Sequence, residues 1–270
     1  MPSGERAGFP TYWTSYGHGP RAALALHCSL AHSGSWAGLA KRIASEMTLT
    51  AFDLPGHGRS GAWHGQGDIQ ALSVAIAADF LDSGVPADLI GHSFGATVAL
   101  RLAVERPDLV RSLILIEPVF FAAGFADAPG ARATFDSMMM GYAGAMAAGD
   151  LMGAAQAFAT IWGAGMPWDA IPPAQREAMA ERMPLIKAAE PTLYEDEAGL
   201  LAPGVLGAVD VPVLLIEGSE SPPIVAAIHE ALAARLPRAE RTMIGGAGHM
   251  APLTHPKQVG SEVLRFLEWA

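Results

Sequence analysis

The chain has 270 residues, enough for one large domain or one domain carrying an inserted subdomain. Hydrophobic residues make up 51% and charged residues 16%, so there is ample material for a large core. The 17 Lys and Arg against 27 Asp and Glu leave a formal net charge of −10, which repels phosphate backbones; with no basic cluster to offset it, nucleic acid is excluded as an expected partner.

In chain order, the opening MPSGERAGFPTYW lacks the basic start and apolar run of a signal peptide, so a cytoplasmic protein is expected. Ala22–Leu26 (AALAL) reads as a buried strand, Trp36–Met47 as a helix and Thr48–Phe52 as the next strand. Asp68 is placed to N-cap a helix running to about Leu81. Ala87–Ile90 is a strand that enters Gly91-His92-Ser93-Phe94-Gly95, followed by a helix from about Ser93 to Glu105 and a strand at Arg111–Ile116. Short apolar runs alternating with helical patterns predict an α/β fold with a mostly parallel, doubly wound sheet covered on both faces.

The alternation then stops. Residues 119–209 show no clear strand but many Ala, Met and Gly, with prolines at 167, 172, 173, 184 and 191. Ser137–Trp162 comes closest to a membrane span, but glycines and Asp150 interrupt it, so no membrane partner is expected. Strand–helix alternation resumes at Val213–Ile216, then a helix near Ile224–Leu236, a strand near Arg241–Ile244 and a final helix over about Pro256–Trp269. The expected organisation is a core domain of residues 1–118 and 210–270, with a helical cap of residues 119–209 over the carboxyl ends of the strands.

The pentapeptide Gly91–Gly95 matches G-x-S-x-G, and the strand before it and helix after it supply the context that this motif requires. A sharp turn would hold Ser93 in a strained backbone conformation at the strand tip, with tiny residues at 91 and 95 to let strand and helix close. A serine hydroxyl needs a base, and this motif is expected to be followed along the chain by an acid and then a histidine. His249, in Gly245-Gly246-Ala247-Gly248-His249 after the last strand, fits as that base. His255, six residues on and just before Pro256, reads as a helix-entry residue. Serine, histidine and a carboxylate need no cofactor or metal, and Cys28, the only cysteine, makes a thiolate zinc site implausible.

With these residues the chain resembles the α/β-hydrolase superfamily of serine hydrolases with a helical cap, over nearly its full length. His27-Cys28-Ser29-Leu30 stands where that family carries its oxyanion loop, and Asp53-Leu54-Pro55-Gly56-His57-Gly58-Arg59-Ser60 is close to its loop after the next strand. The resemblance implies an oxyanion hole from the backbone N–H groups of Ser29 and Phe94. It also implies acyl chemistry, since relatives that open epoxides or remove halide use Asp where this chain has Ser93. The family's usual acid position, in a G-x-x-D loop, is here Ser221 in Glu217-Gly218-Ser219-Glu220-Ser221-Pro222. The expected acid is Glu117, ending the strand after the elbow as in some superfamily members, because a lone carboxylate beside an apolar core strand is costly without a partner; the alternative is Glu220, one residue short of the usual place.

Cys28 reads as a buried structural thiol, His27 as an anchor of the oxyanion loop and His57 as a brace of its own loop. Met138, Met139, Met140, Met146, Phe158 and Trp162 suit a plastic, apolar pocket wall, so the expected partner is a small apolar acyl or ester substrate, met by a monomer or homodimer. Three functions are compatible: a carboxylic-ester hydrolase, a carbon–carbon bond hydrolase of vinylogous diketones with Arg176, Arg182 or Lys187 holding the substrate carboxylate, and a non-catalytic binding relative.

Overall fold

A computed structural model describes residues 2–82 and 84–270. Its centre is an eight-stranded sheet ordered β1-β2-β4-β3-β5-β6-β7-β8, formed by β1 (Ser3–Arg6), β2 (Phe9–Gly17), β3 (Arg21–Leu26), β4 (Met47–Phe52), β5 (Ala87–His92), β6 (Val110–Ile116), β7 (Val213–Gly218) and β8 (Ala239–Ile244). The pairs from β4 through β8 are parallel, whereas β1 and β2 pair antiparallel at one edge. This is the expected α/β-hydrolase architecture.

Both sheet faces are apolar, and the strands alternate between them. Leu24, Leu26, Leu89, Leu113 and Leu215 join one buried cluster, while Ala25, Ile90, Ile114, Ile116 and Leu214 join the other. A sheet covered on both sides needs this doubling, which is why its strands read as continuous apolar runs. The first helices to cover the sheet are α1 (Ala37–Ile43), α2 (Ile69–Leu81) and α3 (Phe94–Glu105). Asp68 caps α2 as expected, accepting from the Gln70 N–H at 2.7 Å.

The insertion between β6 and β7 forms α4 (Phe121–Asp127), α5 (Ala131–Met138), α6 (Met140–Ala147), α7 (Leu151–Trp162), α8 (Pro173–Glu181) and α9 (Met183–Tyr194). After it come α10 (Pro223–Arg235), α11 (Ala251–Thr254) and α12 (Pro256–Leu267). Within the insertion, α4 packs on the core: a side-chain carbon on Gly124 would stand 3.1 Å from both Ile224 and Ile228 of α10. Among the described residues no helix is long and apolar enough to cross a membrane.

One local expectation is corrected. Before Ala22, where the residue pattern marks no element, the chain forms β1 and β2; β2 is an edge-side strand of mixed exposure whose pairing with β4, not its own apolar run, defines it. The helix expected over Trp36–Met47 is a short 3-10 turn at Ser33–Trp36 followed by α1, which stops at Ile43. The Glu46 carbonyl accepts from Arg21 N, and Met47 already belongs to β4, so sheet pairing overrides the helical pattern there.

Candidate functional site

The site grows from the end of β5. Ser93 sits between strand and α3 with φ 55° and ψ −119°, a strained conformation held by the closure around it. A Cβ on Gly91 would lie 2.4 Å from Ala96 Cα, and one on Gly95 would lie 2.1 Å from the Leu26 carbonyl oxygen. Neither contact is possible for a larger residue, so the two glycines let β5, α3 and the end of β3 meet.

His249 arrives from the loop after β8. Its Nε2 accepts from the Ser93 hydroxyl at 2.9 Å, and its Nδ1–H donates to Glu117 Oε2 at 3.0 Å. Glu117 follows β6, the strand beside β5, with φ 52°. Its backbone N–H pairs with the Ile216 carbonyl at 2.9 Å, so the chain is still registered to β7 where the side chain turns toward His249. The second carboxylate oxygen accepts from Gly218 N at 2.5 Å and from the Ser221 hydroxyl at 2.8 Å. Burial pushes the Glu117 carboxyl up, but the hydrogen bond and charge of His249, with the Gly218 and Ser221 donors, hold it below the ordinary glutamate range. Ser93, His249 and Glu117 are all buried, Glu117 completely.

The other acid candidate is elsewhere. Glu220 is exposed, and its backbone N–H binds the Ala247 carbonyl, bracing the loop that carries His249. His255 pairs with the Thr254 hydroxyl on the surface, away from Ser93.

Ser29 lies on the wall of the cavity that holds Ser93 and His249. Among the described residues, neither Ser29 N–H nor Phe94 N–H is paired with a backbone carbonyl in a turn, loop or cap. The loop carrying Ser29 is fixed by His27. Its Nδ1–H donates to the Cys28 carbonyl at 2.7 Å and its Nε2 accepts from Leu54 N at 2.9 Å, a tautomer that burial keeps neutral. His57 donates to the Pro55 carbonyl at 2.9 Å within its own loop. Burial pushes the Cys28 thiol up to about 12, which leaves it unreactive at neutral pH.

Two supporting residues have no sequence signal of their own. His92 Nε2–H donates to the His249 carbonyl at 2.8 Å, tying the histidine loop to the elbow. Ser221 stands where a family aspartate was expected, and its hydroxyl serves Glu117 instead. The vacancy of an acid at 221 was visible in the sequence; the use of its hydroxyl was not.

The cavity is narrow, about 40 Å³, with Val119, Phe121, Met139, Phe158 and Trp162 forming much of its wall. The Trp162 ring meets the His249 ring edge-on at 4.8 Å. Helix α9 adds Ile186, Leu193 and Tyr194, and one carboxylate, Glu190. None of Arg176, Arg182 and Lys187 is on this wall. Arg182 is spent on the Gly56 and Ala178 carbonyls, Lys187 on Glu190, and Arg176 lies beside Asp169.

A serine, a histidine and a carboxylate in series can perform nucleophilic acyl transfer. Sequence comparison agrees in kind. Residues 23–262 match the profile of the Alpha/beta hydrolase family. The chain is 32% identical over 260 residues to a pimeloyl-[acyl-carrier protein] methyl ester esterase of Xanthomonas campestris pv. campestris, covering 93% of this chain and 96% of that one. It is 41% identical over 101 residues to lipase LipV of Mycobacterium tuberculosis, a match that spans 37% of this chain and only 38% of LipV. In three dimensions an alpha/beta hydrolase from Sphaerobacter thermophilus superposes with a TM-score of 0.72 at 21% identity, covering 98% of this chain and 100% of that one. The elbow at Ser93, the sheet that carries it and the matched residues lead to one assignment: this chain is a hydrolase of the Alpha/beta hydrolase family.

Proposed function

We propose that the protein is a serine-dependent carboxylic-ester hydrolase for small, largely apolar substrates, with Ser93 as nucleophile, His249 as general base and acid, and Glu117 as the orienting carboxylate. The observation that carries this reading is the unbroken chain from Ser93 Oγ through His249 to Glu117, at 2.9 and 3.0 Å, inside a buried cavity. His249 takes the Ser93 proton as Oγ attacks the ester carbonyl, and the Ser29 and Phe94 N–H groups bind the resulting oxyanion. His249 then protonates the departing alcohol, leaving an acyl-Ser93. Water, deprotonated by His249, attacks that ester, releases the acid and restores the serine. One oxyanion donor of this kind is worth about 10²–10³ in rate.

Residues 119–209 act as the cap, supplying the apolar wall. The 32% identical relative that is an esterase over nearly the same length supports the substrate class. The carbon–carbon hydrolase reading loses its support, because the cations it would need are engaged outside the cavity and the wall carries a carboxylate instead. Two measurements test the proposal together: fluorophosphonate labelling of Ser93, and turnover of p-nitrophenyl esters of graded chain length. Labelling that disappears in Ser93→Ala, with short esters turned over, is the expected result. An unlabelled serine in the folded protein would overturn it.

A further inference from the structure

The cavity wall contains a carboxylate that the mechanism does not use. Glu190, on α9, faces the same space as Ser93 and His249, with its side chain 18% exposed. Lys187 Nζ donates to its Oε2 at 2.5 Å from the outer side, where the lysine is 62% exposed. A pair so open to solvent is weak and engages one oxygen only. Among the described residues, the other donor beside this carboxylate is the Tyr142 hydroxyl, and it forms no well-formed hydrogen bond there.

Aromatic residues share the cavity wall with this carboxylate. Tyr194 is on the cavity wall, and Tyr142 lies behind Phe158, their ring centres 5.9 Å apart. Phe158 continues to Trp162 at 6.4 Å, and Trp162 reaches His249. The Tyr142 hydroxyl is buried beside the Glu190 carboxylate, close enough to interact with it but without a well-formed hydrogen bond. Burial first, and then the nearby Glu190 charge, push both tyrosine hydroxyls well above their ordinary pKa, so the phenols stay neutral beside the carboxylate.

A weakly paired carboxylate, a phenol hydroxyl and aromatic faces are the elements with which proteins hold an ammonium group. A second carboxylate brought into the same narrow space meets only like charge. We infer that Glu190 sets the specificity of this pocket, favouring esters that carry a hydrogen-bond donor, above all a protonated amine, on a short chain, and rejecting those that carry a carboxylate there. The inference rests on the ester-hydrolase reading of Ser93.

The test compares matched esters ending in methyl, hydroxyl, ammonium or carboxylate, with the substituent placed on the acyl chain in one series and on the alkoxy chain in another. Assays in about 0.5 M salt screen the net charge of the whole protein, leaving the local effect. In one of the two series, kcat/KM for the ammonium ester should exceed that for the carboxylate ester at least 100-fold, and Glu190→Gln should cut that ratio at least tenfold while changing the methyl-terminated ester little. Lys187→Met, an exposed change that frees the second oxygen, should raise the ratio. Equal ratios in the native protein and Glu190→Gln in both series overturn the inference, as does a ratio that falls in Lys187→Met. The rate of Ser93 labelling by ammonium- and carboxylate-bearing phosphonates separates the two levels. Labelling without charge preference defeats the role of Glu190 alone, and absence of both labelling and turnover defeats the hydrolase reading and this inference with it.

Discussion

Ser221 Oγ donates to Glu117 Oε1 at 2.8 Å, so the residue at the family's usual acid position holds an acid supplied by the neighbouring strand. The two positions lie on adjacent loops because β6 and β7 are paired in parallel, with Ile116 opposite Ile216. A carboxylate can therefore move from one strand end to the other while still reaching the same imidazole.

That relationship gives graded expectations for three variants. Glu117→Gln should lower kcat by about 10⁴, because an amide can neither fix the His249 tautomer nor balance an imidazolium. Ser221→Ala removes one hydrogen bond to a charged acceptor and should cost about tenfold in kcat. Glu220→Gln, on the surface, should change activity by less than about twofold. Steady-state kinetics on one p-nitrophenyl ester rank them, and a larger loss in Glu220→Gln than in Glu117→Gln would refute the assignment of the acid.

His92 is expected to act as a positioning residue through the His249 backbone. Its neutral ring donates to that carbonyl, and burial together with the His249 charge lowers its pKa to about 3, so the donor persists across the working pH range. His92→Ala should lower kcat about tenfold by loosening the loop, with KM little changed. His92→Gln, which can still reach the carbonyl, should recover part of the loss. A merely structural residue would not show that rescue.

Stability should fall in mild acid because of buried histidines. Burial lowers His57 and His229 to about 4, and lowers His27 well below its usual value. The unfolded chain binds these protons near pH 6.5 while the folded chain refuses them until far lower pH. The stability is thus fully present above about pH 6.5 and is lost as pH falls from there toward 4. For His57 and His229 the loss amounts to about 3 kcal/mol each by pH 4. Denaturant titrations at pH 7.5, 6 and 5 should show a midpoint falling steadily; a flat profile would contradict this. His229→Met should flatten the slope at little expense at pH 7, because neither ring nitrogen of His229 has a hydrogen-bond partner among the described residues.

At the other end of β5, Asp88 is fully buried between arginines from the two flanking strands. Arg21 of β3 and Arg111 of β6 each grip both of its oxygens, and the Ser112 hydroxyl adds a fourth side chain to the cluster. Asp88→Ala should destabilise the fold by about 2–4 kcal/mol, somewhat below the full cost of a stranded buried charge because both arginines reach solvent. Asp88 lies about 16 Å along the strand from Ser93, so kcat of the folded fraction should hold. A large loss of kcat at unchanged stability would show instead that the two ends of β5 are coupled.

Much of this molecule was legible in its residues. The G-x-S-x-G turn, the apolar runs and Asp68 are local signals, because a strained elbow, a doubly buried strand and a helix cap each depend on a few consecutive side chains. Ser93, His249 and the long insertion followed from them. The edge strands β1 and β2 did not, since what makes them strands is β4 alongside, and the helix ending at Ile43 was cut short by pairing of the same kind.

At the site, the sequence by itself singled out Ser93 and His249 as the candidate nucleophile and base, because each sits in a motif whose backbone shape favours it. For the acid it favoured Glu117, beside an apolar strand where a lone carboxylate needs a partner, and kept Glu220 as the alternative. The tertiary structure separated them: the parallel registry of β5, β6 and β7 brings Glu117 to His249 Nδ1 and leaves Glu220 in water. The same holds for Ser221, His92 and Glu190. Their distances to partners between roughly 60 and 160 residues away in the chain are set by strand order and helix packing, and no local pattern encodes them.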